Sequence, residues 1–105
     1  MYRLQKHEDT RWEHLSGTSL RGRIVNGWAT ITFEGFTHEG VEGKLETIFT
    51  VPNKYKPTAN VFFCLLENAI KPSAYTSYIN SSGNIRLHLL HSKNNLVGSV
   101  TYPVG

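Results

Sequence analysis

Leu20-Arg21-Gly22-Arg23-Ile24-Val25-Asn26-Gly27-Trp28-Ala29-Thr30-Ile31-Thr32-Phe33-Glu34 decides the fold class. Asn26-Gly27 is the pair preferred in a type I′ turn, because both central residues of that turn need positive φ. On its C-terminal side the chain alternates. Ala29, Ile31 and Phe33 fall on one face, and Trp28, Thr30, Thr32 and Glu34 on the other. A period of two marks a strand with one side in a core. The stretch therefore predicts a β-hairpin, with strands at 20–25 and 28–34.

The rest of the chain repeats this grammar. Gly35 to Gly43 reads as a glycine-rich loop, and Leu45 to Val51 as a strand stopped by Pro52. Val51-Pro52-Asn53-Lys54-Tyr55-Lys56-Pro57 is a rigid turn, since each proline fixes φ and holds its predecessor extended. Ala59 to Glu67 is almost continuously apolar and reads as a central strand. Strands follow at 74–80, 85–91 and 96–104, with turns at 68–73, 81–84 and 92–95. About seven strands at roughly ten-residue spacing predict an all-β fold, an antiparallel β-sandwich or jelly-roll-like domain. Residues 1–13 read as a tether or entry strand and 14–105 as the domain.

Composition narrows the chemistry. The chain has 105 residues, enough for one domain and one core. Its single cysteine excludes an internal disulfide and Cys-rich zinc sites. Cys64, inside Val61-Phe62-Phe63-Cys64-Leu65-Leu66, reads as a buried small hydrophobe. The net charge of +3 comes from dispersed lysines and arginines. A nucleic-acid binder usually gathers its charge on one face, so no nucleic-acid partner is expected. No apolar run reaches the ~20 residues of a membrane span. Nothing at the N-terminus reads as a signal peptide.

Enzyme constellations are weak. His88 and His91, three apart on an inferred strand, point to opposite faces. His38 with Glu39 and Glu42 forms a flexible loop cluster, and no metal or other cofactor is expected. Glu34 and Glu46 are a carboxylate pair only if their strands are neighbours. Asp9 is the only aspartate, which disfavours a nucleophilic triad.

The turns carry a resemblance. Thr50-Val51-Pro52-Asn53-Lys54-Tyr55-Lys56-Pro57 resembles the Leu-Pro-x-Gly-Tyr-Arg-Pro motif of tail-tip proteins from phages of Gram-positive bacteria. Tyr78-Ile79-Asn80-x-x-Gly83-Asn84-Ile85 is similar to their Tyr-Ile-Asn-x-x-Gly-x-Val hairpin, and Asn26-Gly27-Trp28-Ala29-Thr30-Ile31 to the Asn-Gly-Trp-Val-Thr-Ile hairpin upstream. The ending Gly98-Ser99-Val100-Thr101-Tyr102-Pro103-Val104 also fits. Val51 stands for Leu, and Asn53-Lys54 for the Gly-containing pair. The resemblance implies a receptor-binding head of a tail fibre or baseplate. Such a head is a homotrimeric, non-enzymatic adhesin, made in the host cytoplasm and carried at the virion tail tip. It contacts other tail or baseplate proteins, does not insert in membranes, and binds a host cell-surface saccharide. The alternatives are a trimerising cap and a wall-polysaccharide hydrolase.

A sugar ring packs its C–H face on an aromatic plane, while amides and guanidinium groups bond its hydroxyls. Trp28, Tyr55, Tyr75, Tyr78 and Tyr102 are the stacking candidates, with Tyr55 also an anchor of its turn. The expected saccharide site comprises Trp28, Tyr75, Tyr78, Asn80, Asn84, Arg86, His88 and Asn94. The polar loops 80–84 and 92–95 are expected to supply hydrogen bonds at one end of the sandwich, where loops most often carry function.

Overall fold

The computed structural model describes residues 9–104. The strands are β1 (Glu13–Ser16), β2 (Leu20–Val25), β3 (Trp28–Glu39), β4 (Leu45–Thr50), β5 (Val61–Glu67), β6 (Ala74–Ile79), β7 (Asn84–His88) and β8 (Lys93–Pro103). A single 3-10 turn at Asn53–Tyr55 completes the set. All strands join one antiparallel sheet in the order β1-β2-β3-β8-β5-β6-β7-β4. The sheet curls into two layers around one core.

The predicted hairpin is present: Asn26 and Gly27 have φ of 53° and 78°, and Val25 pairs with Trp28. Ala29, Ile31 and Phe33 are buried as the alternation requires. The expected loop at 35–43 is the main departure. β3 continues to Glu39, paired with β8 throughout. The ladder steps over a bulge between Glu34 and Phe36, and Gly35 has φ +77°, which few side chains tolerate. The bulge flips the inward side, so Phe36 replaces the next odd position in the core. Glycine here bends a strand instead of ending it.

That bend makes the two layers. The N-terminal half of β3 pairs with β2 as far as Phe33. Beyond it, the β3–β8 ribbon turns into the other layer, where Leu66 and Glu67 of β5 pair with Val97 and Leu96 of β8. Gly98 sits at the bend against Leu65, whose Cδ2 would lie 2.9 Å from any added Cβ. The free edges of β3 and β4 meet through side chains. Phe36 and Phe49 pack edge to face at 6.2 Å, and His38 Nε2 lies 3.2 Å from Glu46 Oε1.

The turn at 52–57 clips both layers. Tyr55 is fully buried over Gly22, its hydroxyl donating to Glu13 Oε1 at 2.7 Å. Tyr102 donates to the Tyr55 carbonyl at 2.6 Å. Pro57 bridges to Val104. The strand at Glu13–Ser16 begins where the entry segment was expected to end. Asp9 and Thr10 also bond to Asn26 and Ile24 along β2. The remainder of the expected tether, residues 1–8, lies outside the described residues.

Cys64 corrects the sequence reading: it is exposed. β5 is apolar on both faces, and only Leu65 is fully inside, with Val61 and Phe63 packed against the core. Phe62, Cys64 and Leu66 point outward. A run of apolar residues cannot show by periodicity which face is covered.

Candidate functional site

The outer face of β5-β6-β7-β4 carries the richest exposed chemistry. Antiparallel register places Phe62 opposite Tyr78, Tyr78 opposite Arg86, and Arg86 opposite Thr47. Directly paired residues share a face, so these four side chains form one row across four strands. Phe62 is 70% exposed and its ring lies 5.3 Å from that of Tyr78. Arg86 Nη1 approaches the Tyr78 hydroxyl at 3.4 Å, and Arg86 Nε is buried without a partner. No carboxylate pairs with this guanidinium among the described residues. Two positions along β7, on the same side, stands exposed His88, opposite Leu45. At the other end Asn84 accepts from Thr50 Oγ1 at 2.8 Å. The row grades from apolar at β5 to polar at β7 and β4.

Tyr78, Arg86, His88 and Asn84, four of the expected site residues, thus share one face. The other four do not join them. Trp28 is 52% exposed, but on the outer side of the β2-β3-β8 layer. Asn80 closes the β6–β7 turn, its Oδ1 accepting from the Ser82 and Asn84 amides at 3.1 and 3.0 Å. Tyr75 is buried, as are Tyr55 and Tyr102. Tyr75 donates to Asn94 Oδ1 at 2.8 Å.

Asn94 is 4% exposed and fully engaged. Its Oδ1 also accepts from the His91 amide, and its Nδ2 donates to the His38 and His91 carbonyls at 3.2 and 2.8 Å. The expected turn at 92–95 is instead the start of β8 from Lys93, and it and the 80–84 turn sit at opposite ends of β6, not at one. Asn95 is bonded to Asn68 before β6 begins, while Gly83 is bonded to Val51 beyond its far end.

Phe62 was missed as a surface residue because its neighbours are apolar. The signal was the even spacing of Phe62, Cys64 and Leu66, opposite in phase to buried Leu65.

Glu34, Glu46 and Glu67 are already occupied. Glu34 makes a bidentate pair with Arg21, at 2.8 and 2.7 Å. Glu46 lies against Gly40, accepting from the Val41 amide at 2.8 Å and from His38. Those bonds, the amide first, hold its carboxyl below the usual carboxylate range. Glu34 and Glu46 lie on β3 and β4, which are not laddered to each other. Glu67 is bonded by the Ser73 amide and by His91, whose Nε2 is 2.6 Å away, and its carboxyl is likewise lowered. His38 pairs with Glu46, not with Glu39 or Glu42. No cluster of three His, Cys, Asp or Glu side chains with metal-binding geometry occurs among the described residues.

No family model matches the sequence, and no curated protein does. A solved structure does: the head domain of phage bIL170, reported in connection with a common fold for the receptor-binding domains of lactococcal phages. The match has a TM-score of 0.66 at 14% identity, covering 90% of this chain and 98% of that one. The chain therefore has the fold of a phage receptor-binding head domain.

Proposed function

We propose that this domain is the receptor-binding head of a phage tail fibre or baseplate, a non-enzymatic adhesin for a host cell-wall saccharide. The shared head-domain fold carries the reading. The exposed row of Phe62, Tyr78, Arg86 and Thr47 supports it, offering aromatic planes beside a guanidinium with no carboxylate partner among the described residues. Stacking and hydrogen bonds at such a shallow face are individually weak. Several copies at one tail tip would multiply them through effective concentration. The apolar strip of β5 suits a contact with further copies, in a homotrimer whose polar flank faces the sugar. Other tail proteins would hold the assembly at the virion tip.

The test is binding of the purified domain to host cell walls and to a glycan array. Tyr78→Ala and Arg86→Ala are expected to lose binding while keeping the fold. Retained binding by both variants would place the site elsewhere. Light scattering decides the assembly, and Cys64 gives a second readout. In a trimer packed through β5 its thiol is shielded from Ellman's reagent until the chains are diluted apart.

The exposed β5 strip also favours a second reading, a domain that only trimerises and caps a fibre. In that case Tyr78→Ala lowers assembly instead of adsorption.

A further inference from the structure

Beyond the bend at Gly35 the β3–β8 ribbon bears a second polar surface on the same outer side as Leu66, which pairs with Val97. Thr37 stands opposite Asn95, and Glu39 opposite Lys93. These four side chains and Asn94 line an open groove of about 440 Å³. That volume lies within the ~300–1,000 Å³ typical of small-ligand clefts.

Three features separate this groove from an ordinary solvated edge. First, Glu39 and Lys93 face each other in register without forming an ion pair, and Thr37 and Asn95 form no side-chain hydrogen bond. Opposite charges on paired positions attract only weakly when exposed, and here the space between them stays open. Second, the floor is rigid. Asn94 is held by four hydrogen bonds to Tyr75, His38 and His91, so ligand binding there orders little that is not already ordered. Third, the lining charge is balanced. One carboxylate acceptor, one ammonium donor and two groups that do both suit hydroxyls, which donate and accept at once. A phosphate or carboxylate entering the groove would meet Glu39.

We infer that the groove between Thr37–Glu39 and Lys93–Asn95 is a binding site for a neutral saccharide, separate from the Tyr78–Arg86 row. The inference rests on the saccharide-adhesin reading and adds a second contact to it. The two lie at different places on the same outer face, the groove on the β3–β8 ribbon and the row running from Phe62 on β5 to Thr47 on β4.

The experiment is amide chemical-shift mapping of the full chain titrated with glucose, galactose, rhamnose and N-acetylglucosamine, and separately with inorganic phosphate and glucuronate. Shifts from a neutral sugar at 37–39 and 93–95 are expected, with at least a tenfold weaker response in Lys93→Ala and Asn95→Ala. Ser81→Ala, in the exposed β6–β7 turn beyond the far end of β6, is expected to leave these shifts unchanged. Sugar-induced shifts confined to residues 78–88, or groove shifts produced by phosphate or glucuronate instead of sugars, overturn the groove and leave the adhesin reading standing. An absence of shifts anywhere, together with no binding on the glycan array, overturns both.

Discussion

Replacing Asn94 by Ala tests whether one buried amide ties the lower end of the molecule together. The change orphans the Tyr75 hydroxyl inside the core, the His91 amide, and the carbonyls of His38 and His91. A buried polar group left without a partner costs ~1–3 kcal/mol, and that applies in full to the Tyr75 hydroxyl. The other three partners are only partly buried and regain water, so each loses nearer ~0.5–1 kcal/mol. The sum is ~2.5–6 kcal/mol, centred near ~4 kcal/mol. For a domain of this size a loss of ~4 kcal/mol lowers Tm by roughly 16–32 °C, at ~4–8 °C per kcal/mol. Urea unfolding at fixed protein concentration measures it, with the slope m unchanged. Tyr75→Phe removes the orphan hydroxyl. The double variant is therefore expected to lose ~1–2 kcal/mol less than the two single losses summed. A loss below ~1 kcal/mol for Asn94→Ala, or zero coupling with Tyr75→Phe, would refute the network.

Gly22→Ala places a Cβ 2.8 Å from Tyr55 Cε1 and 3.0 Å from Leu15 Cδ1. Displacing that ring is expected to cost ~1–3 kcal/mol by chemical unfolding, whereas a neutral result means the clip at Tyr55 is loose. Glu13, held mainly by Lys54 and then by Tyr55, has its carboxyl lowered, as do Glu46 and Glu67. Folded values below unfolded ones stabilise above about pH 4.5, and the gain is lost as pH falls through the lowered values. Glu13→Gln, Glu46→Gln and Glu67→Gln should each flatten the acid limb of the stability–pH curve, and an unchanged limb counts against these bonds. Burial raises the hydroxyls of Tyr55, Tyr75 and Tyr102. Their stabilisation is full below about pH 10 and is lost above it. Phenolate absorbance from these three should appear together with unfolding, not before it.

The residues whose local chemistry has one outcome were readable from the sequence. Asn26-Gly27 needs positive φ and makes its turn; Ala29, Ile31 and Phe33 alternate and are buried. The Tyr55 turn anchors as its prolines suggest. Residues with two permitted outcomes were not readable. Gly35 can end a strand or bend one, and only its long-range pairing with β8 decides. Cys64 sits in a run that is apolar on both faces, so its exposure depends on what covers β5. Within the candidate site, Tyr78, Arg86, His88 and Asn84 come together because alternation and register follow from strand assignment. Tyr75 and Asn94 are equally polar-tipped, but their inward phase takes them into the core. Thr37 went unseen and Glu39 was read only as part of a loop cluster with His38 and Glu42, because both lie beyond the bend, in what reads as loop.

The placement of β8 has a consequence for how the chain is made. Late in sequence, β8 sits in the middle of the sheet, flanked by β3 and β5. Until it leaves the ribosome, β3 and β5 each present a bare edge, one lined by Ile31 and Phe33 and the other by Phe63 and Leu65. Such edges are templates for aberrant pairing between nascent chains. Closure also requires contacts between distant parts of the chain, which slows folding. The partly made chain should therefore depend on holdase protection while β8 is still being translated. A chain stopped before Lys93 would separate into two unfinished sheets and aggregate.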